Sequence, residues 1–377
     1  MKHIVIDARL YGPKHTGIGR YTKNLLESLT VQPNFSKFKF TLIIYKELET
    51  EVKKDLGNNF QYVTTNIRHY SLQEQLFLPF IIYKLHPNLV HFTHFNKPIL
   101  YFGKSVVTIH DLIKHFFKGR LNTTKNATIY WIKHFFYIIL TNIVIKTNYI
   151  IVPSDFWRDY LIKNFHIDPQ KITTTHEAVD PNFLNKINNL ESTPPLKNQK
   201  PYIIYTGNLY PHKNVQIIIE ALRSLPNLNL KIICARNYFT ETIEKLINKY
   251  KLQKQVEFLG YIPDQEFKEI YSHALALVHP SLMEGFSLTG LEAMALDCPV
   301  ISSNSSCLPE IYQDSVLYFD PTNVQDLINQ ITKLQKSPKL RDELIKLGHL
   351  QVAKYSWTKT AKKTLEVYQK LLSSTIG

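Results

Sequence analysis

A chain of 377 residues with 44% hydrophobic and 20% charged side chains has the composition of an ordinary globular protein, which excludes disordered, collagenous and disulfide-stapled classes and gives room for roughly two to three domains. The formal net charge is +14 and uneven: residues 1–180 hold 23 Lys/Arg against 13 Asp/Glu, while 181–377 hold 22 against 18. Residues 84–146 carry nine Lys/Arg and one acid, Asp111, so an anionic partner such as phospholipid, nucleic acid or a phosphorylated substrate is expected there.

The first half alternates β-branched runs with helical periodicity. Strands are expected at His3–Asp7, Phe38–Tyr45, Phe60–Val63, Leu89–Phe92, Ser105–Ile109 and Tyr149–Val152, and helices near 19–30, 71–86 and 127–146. Such alternation implies a parallel sheet covered on both faces. After the first strand, Gly17 and Gly19 stand immediately before an amphipathic helix, where glycines let backbone N–H groups close on an anion. A flexible loop at a helix start explains them equally well. His91 and His94 end the fourth strand, but two intervening residues in extended chain do not converge as metal ligands. His110 and Asp111 follow the fifth strand, at the sheet edge where ligands bind.

The apolar stretch Ala127–Val152 is broken by Lys133, His134 and Lys146. Its longest uncharged piece, Phe135–Ile145, falls short of the roughly 20 apolar residues that cross a bilayer, so no transmembrane helix is expected. Met1-Lys2-His3 leads straight into Ile4-Val5-Ile6 with no charged-then-apolar leader, and Cys234, Cys298 and Cys307 form no CxxC pair. The expected setting is reducing and cytoplasmic.

Around 190–200 the pattern breaks into polar residues and a Pro pair, a linker composition. The expected division is therefore a first domain at 1–190, a linker at 191–201 and a second domain at 202–377. Strands then recur at Tyr202–Thr206, Leu230–Cys234, Val256–Leu259, Leu275–Val278 and Pro299–Ser302, with helices near 214–224, 240–250, 264–272 and 288–297. Gly207 ends the opening strand, and His212-Lys213-Asn214 feeds the next helix, where Lys and a cationic His suit a diphosphate. A solvated Lys in a Pro-containing turn is the plainer account. The most informative run is Pro280–Asp297. Glu284-Gly285 lies in a loop after a buried strand, Ser287 suits an N-cap, and Glu292 sits among apolar neighbours on the helix that follows. Two acids so spaced can grip two hydroxyl-bearing parts of one ligand and leave the helix N-terminus between them for phosphate.

Taken in order, Gly17-Ile-Gly19-Arg-Tyr, His110-Asp111, Val152-Pro-Ser154, Gly207 to Lys213-Asn214, Glu284 with Glu292, Ser305-Ser-Cys-Leu-Pro-Glu310 and Leu317-Tyr-Phe-Asp320-Pro321 resemble glycosyltransferase family 4 over most of the chain. The resemblance implies the α/β GT-B fold: two facing Rossmann-like domains with parallel sheets, an interdomain cleft, an acceptor-binding first domain, a donor-binding second domain and a last helix packing back on the first. It implies a retaining hexosyltransferase that uses a nucleotide sugar and no cofactor. Gly19 would give its N–H to the donor diphosphate, and His110 would contact the transferred sugar. Lys213 would neutralise the departing phosphates, Glu284 bind sugar hydroxyls and Glu292 the ribose, with the backbone of Phe286, Ser287 and Leu288 facing sugar and phosphate.

Two departures stand out. His212 occupies the place of an Arg, so leaving-group stabilisation is expected to be weaker or to titrate near pH 6.5. Ser287 replaces the last glycine of a Glu-Gly-Phe-Gly loop. No Asp-x-Asp occurs, so no metal is expected on the diphosphate, and Lys213, His212 and helix N-termini would meet its charge. The Thr16–Tyr21 and Pro211–Asn214 segments look most like members that move mannose from GDP-mannose to a glycan or lipid-linked acceptor in surface-polysaccharide assembly. The expected location is then the inner face of the cell membrane. Lys114, Lys118, Arg120, Lys125 and Lys133 with Phe116, Phe117, Trp131 and Phe135 form a candidate contact with anionic lipid. A GT-B sugar-nucleotide epimerase and an inactive family member are the alternatives. A nucleic-acid binder ranks low, because no known binding module accompanies the charge.

Overall fold

The computed structural model describes the chain apart from residues 120–126, 189–199, 236–237, 261 and 374–377, so most of the expected 191–201 linker, together with Arg120 and Lys125, lies outside the described residues. The chain divides into two compact units, Met1–Leu112 with Trp131–Glu177 and Ser356–Gly377, and Ile113–Tyr130 with Ala178–Tyr355. This differs from the 1–190 and 202–377 boundaries. The break nearest the expected linker falls after Glu177, ahead of the polar stretch, and 113–130 joins the second unit, where the Phe117 ring lies 5.5 Å from that of His212.

The first unit is built on seven parallel strands: β1 (Lys2–Asp7), β2 (Phe38–Tyr45), β3 (Gln61–Thr65), β4 (Leu89–Phe92), β5 (Ser105–Thr108), β6 (Tyr149–Val152) and β7 (Ile172–Thr174). Their order is β3-β2-β1-β4-β5-β6-β7, with in-register pairs such as Ile4↔Phe40 and Ile4↔Leu89. Ile4, Val5 and Ile6 are fully buried, because a parallel sheet covered on both faces buries both sides of its central strands. β7 escaped the sequence reading because three residues, Ile-Thr-Thr, carry no periodicity.

The helix Trp357–Ser373 belongs to this unit: the Tyr368 hydroxyl meets His91 Nδ1 at 2.5 Å, and Lys104 Nζ donates to the Leu371 carbonyl at 2.7 Å. His91 Nε2 bonds Thr108 at 2.8 Å, so both its nitrogens serve packing.

At the carboxyl end of β1, Arg9 is fully buried between two acids. Its guanidinium donates to both Asp7 oxygens, at 2.8 and 2.7 Å, and to Glu74 at 2.6 Å. Asp7, His69 and Glu74 bring three ligand-type atoms within 4.8 Å of one another, but Arg9 already bonds both carboxylates, which closes the group as an ion cluster.

The second unit holds six parallel strands: β8 (Tyr202–Thr206), β9 (Asn229–Ile233), β10 (Val256–Phe258), β11 (Ala276–His279), β12 (Val300–Ser303) and β13 (Leu317–Phe319), in the order β10-β9-β8-β11-β12-β13. Its core runs from Ile203 and Leu230 in the sheet to Ile218, Leu222, Ile243 and Leu327 on the covering helices. In both sheets the order reverses beside the first strand, at β1/β4 and at β8/β11. The loops leaving neighbouring strands on opposite sides of that point open a crevice, where α/β sheets take their ligands. Cys234, Cys298 and Cys307 are all buried, and none of them is in a disulfide.

Candidate functional site

The loops after both switch-point strands of the second sheet carry residues singled out by sequence. After β8, Gly207 has φ +137°, a conformation that L side chains rarely adopt, and its N–H returns to the Ile233 carbonyl at 3.1 Å. The chain then makes a short 3-10 turn, Pro211–Lys213, closed by Asn214 in the left-handed region, whose side-chain amide donates to the Pro321 carbonyl at 2.9 Å. That turn aims Lys213 at the loop after β11. The two loops are also tied through backbone, by the Leu282 N–H on the His212 carbonyl at 2.8 Å.

Lys213 Nζ donates to both oxygens of Glu284, at 2.7 and 2.8 Å. His279 Nε2 lies 3.1 Å from Glu284 Oε1, and the Glu284 N–H donates to the Ser306 hydroxyl at 3.0 Å. Burial pushes the Glu284 carboxyl up, but the Lys213 ammonium and His279 outweigh it and hold the group well below the usual carboxylate range. Glu284 is therefore ionised, with Lys213 as its counter-charge.

His212, expected as a second cation, is not one. Its ring is buried, stacked at 11° on Tyr210 and tilted against Phe117, and burial followed by the Lys213 charge lowers it to about 4. A neutral imidazole in an aromatic slot neither neutralises phosphate nor titrates near 6.5.

Ser287 does not act as the expected cap. It stands before the seven-residue helix Leu288–Met294 with φ +78°, and its hydroxyl makes no cap bond. The hydroxyl goes instead to the Tyr312 hydroxyl at 2.7 Å and to the His279 ring at 3.3 Å. Tyr312 also accepts from the Gly290 N–H at 3.2 Å, donates to the Ser287 carbonyl at 3.1 Å and approaches His279 Nδ1 at 3.1 Å. A Cβ on Gly290 would lie 2.3 Å from the Tyr312 oxygen, so Gly290 makes room for that phenol rather than for a ligand. The Phe286 ring is buried against Tyr355, leaving only its backbone toward the loop, while Gly285 and Leu288 are partly buried. Glu292 is partly buried on the helix; its charge adds to the burial that raises the Tyr271 phenol.

Three expected residues lie in the first unit. The helix starts at Thr16, so Gly17 and Gly19 sit within its first turns rather than ahead of it. Gly17 is exposed, and a Cβ there meets nothing within 4 Å. Gly19 is buried; its Cβ would lie 1.9 Å from the Gly12 carbonyl oxygen, in a loop closed by the Gly12 N–H on the Gly19 carbonyl at 3.1 Å. His110 Nε2 lies 3.0 Å from the Thr93 carbonyl and Nδ1 3.3 Å from Glu177, so both nitrogens have partners within the first unit.

Sequence reasoning missed His279, Tyr312 and Glu177. His279 closes a strand at the switch point, the positional argument already applied to His110. Tyr312 and Glu177 carry no such mark, because they arrive from 33 and 67 residues away.

Residues 187–372 match the family model described as glycosyl transferases group 1, and residues 16–183 match glycosyltransferase family 4. The chain is 28% identical over 231 residues to O-antigen chain mannosyltransferase B of Escherichia coli, covering 59% of this chain and 60% of that protein. It is 26% identical over 252 residues to an O-antigen chain mannosyltransferase of Salmonella typhimurium, covering 66% and 65%. The match thus spans less than two thirds of these relatives. A glycosyltransferase structure from Rickettsia africae superposes with a TM-score of 0.71 at 18% identity, over 99% of this chain and 100% of that one, which identifies the fold as GT-B.

Proposed function

This chain belongs to the glycosyltransferases of group 1 and family 4, and from that premise we propose that it moves a hexose from a nucleotide sugar onto a glycan or lipid-linked acceptor in surface-polysaccharide assembly. The observation that carries the reading is the Lys213–Glu284 pair, set in the loops after β8 and β11 at the switch point of the second sheet. An ammonium held against a carboxylate offers two complementary contacts: Lys213 turns to the leaving diphosphate, and Glu284, released from part of its ion pair, accepts from sugar hydroxyls. Glu292 is assigned to the ribose, and Gly207, Gly285 and the backbone of Phe286, Ser287 and Leu288 to close approach of the donor. Among the titratable groups assigned here, Lys213 alone brings positive charge to the phosphates, because His212 is neutral.

Retention fits same-face attack, in which the departing phosphate helps to remove the acceptor's proton and no enzymic nucleophile is needed. Gly17 and His110 are assigned to the first unit's part of the reaction, with Gly19 shaping the loop that presents Gly17. Mannose from GDP-mannose is the first candidate donor, in line with the names of the two mannosyltransferase relatives. The location assigned is the cytoplasmic face of the membrane.

The test is a panel of GDP-, UDP- and ADP-sugars read by protection against thermal unfolding, where ligand at 100 times its dissociation constant adds about 2.7 kcal/mol. GDP-mannose should protect most, transfer should persist in excess EDTA, and the product should keep the donor's anomeric configuration. Absence of protection by every nucleotide sugar would remove the reading. Transfer abolished by EDTA and restored by Mn²⁺ would remove its metal-independent form.

A further inference from the structure

Two helices of the first unit carry large apolar side chains on their exposed sides as well as on their buried ones. In the Leu72–Lys84 helix the side facing the unit holds Glu74 beside Leu78 and Ile82, whereas Phe77 and Phe80 are 54% and 64% exposed. In the Ala127–Thr147 helix, His134 and Thr141 are buried, whereas Trp131, Phe135 and Phe136 are 52%, 61% and 64% exposed. A helix that serves only its own core keeps its outer side polar.

These surfaces are continuous. The helices cross from β3 to β4 and from β5 to β6, both toward the same edge of the sheet, and right-handed crossovers place them on one face. The loop between β4 and β5 lies against both. The Phe102 N–H donates to Tyr83 at 2.9 Å and the Ile99 N–H to Gln75 at 2.9 Å, while the Phe95 ring lies 5.3 Å from Tyr137. Phe102 itself is 81% exposed. So broad an apolar surface marks a binding face.

The window Thr128–Thr147 is long and apolar enough to cross a membrane by length and composition, contrary to the sequence expectation. The sheet forbids it here. β5 and β6 pair directly, Val106↔Tyr149 to Thr108↔Ile151, and a crossing between them would put the paired strands on opposite sides. Exposed Lys84, Lys133 and Lys146 stud the face, and the only acid on the two helices, Glu74, is spent on Arg9. A symmetric self-dimer through this face would set lysines against lysines.

We propose that this face, from the Leu72–Lys84 helix across Phe102 to the exposed side of Trp131–Thr147, docks on the surface of an anionic lipid bilayer, with the phenylalanines entering the headgroup boundary and the lysines meeting lipid phosphate. It keeps Trp131, Lys133 and Phe135 of the contact expected from sequence, drops Phe117, which turns in against His212, and adds the Leu72–Lys84 helix and Phe102. The proposal does not depend on the transferase reading, and its test uses no nucleotide sugar.

Trp131 is the natural reporter, since the other two tryptophans, Trp157 and Trp357, are buried. With the full chain and vesicles of phosphatidylglycerol and phosphatidylcholine, Trp131 emission should shift to the blue, the shift should vanish in Trp131→Phe, and phosphatidylcholine alone should give little. Phe80→Ser with Phe136→Ser should weaken vesicle binding by about tenfold or more, each ring removing apolar burial. Lys84→Gln, Lys133→Gln and Lys146→Gln together should weaken binding to anionic vesicles and remove its salt dependence. Thermal unfolding separates loss of docking from loss of fold; if the serine variant does not fold, the wild-type shift and the lysine variant decide. No shift with anionic vesicles, unchanged binding by both variants, or a soluble dimer that the serine substitutions dissociate would overturn the proposal.

Discussion

Lys213 holds both carboxylate oxygens of Glu284, at 2.7 and 2.8 Å, so the residues assigned to phosphate and to sugar form one ion pair. Neither can be changed without altering the other. Lys213→Ala leaves a buried carboxylate with His279 as its remaining ring partner and should lower stability by about 2 kcal/mol or more. Transition-state stabilisation should fall by about 3 kcal/mol. Glu284→Gln instead frees the ammonium, so nucleoside diphosphate should bind more tightly while turnover falls. In a double-mutant cycle read by calorimetry the two effects should fail to add by about 1 kcal/mol or more. Additive effects would separate the pair.

The second expectation concerns acid. His212 is lowered from 6.5 to about 4, so between those values the folded chain binds fewer protons than the unfolded one. Its contribution is present above about 6.5 and is lost as pH falls toward 4, with a ceiling of roughly 3 kcal/mol. His69, lowered to about 4, and His91, lowered to about 3, act in the same direction through burial. His212→Gln should therefore unfold with a shallower loss of midpoint between pH 6.5 and 4 than the wild-type chain. The same variant should leave the pH profile of transfer between 6 and 8 unmoved. A profile that shifts would return His212 to the reaction.

These two cases show where sequence stops. The strands β2 and β4 were legible to the residue, as was the tandem α/β plan, because burial on both faces imposes a mostly apolar pattern on the chain itself. Lys213 and Glu284 were legible as site residues through their position after strands. Their pairing was not, since it joins residues 71 apart through the register of β8 beside β11. His212 was misread as a cation for the same kind of reason: Phe117, which helps to bury it, comes from 95 positions earlier, and no local spacing announces it.

Two nearby glycines should fail differently. Gly19→Ala forces a Cβ to within 1.9 Å of backbone, the Gly12 carbonyl, and should lower the unfolding midpoint strongly. Gly17→Ala meets nothing in the chain, and a helical alanine is favourable by up to about 1 kcal/mol. If the N–H groups at this helix start serve the donor diphosphate, Gly17→Ala should weaken nucleotide-sugar binding while stability holds or rises. Unchanged affinity in a well-folded Gly17→Ala protein would withdraw Gly17 from the donor site.

Ser287 separates backbone strain from hydrogen bonding at the point where the loop is assigned to the donor. Its φ of +78° costs a non-glycine residue about 1 kcal/mol or more, and its hydroxyl bonds to Tyr312 and His279 return part of that. Ser287→Ala keeps the strain and loses the bonds, so it should be less stable than the wild-type chain by about 1 kcal/mol. Ser287→Gly loses the same bonds but relieves the strain. Tyr312 is not orphaned in either variant, because it still accepts from the Gly290 N–H and donates to the Ser287 carbonyl. The glycine variant should therefore match or exceed the wild-type midpoint, although alanine is the smaller change from serine. With no Cβ, it should also let the donor approach the 286–288 backbone more closely and bind nucleotide sugar at least as tightly. Chemical denaturation of the three proteins, with titration of the preferred nucleotide sugar, decides the matter. If alanine proves as stable as glycine, the left-handed turn at Ser287 stores no strain, and the serine is held there by its hydroxyl bonds alone.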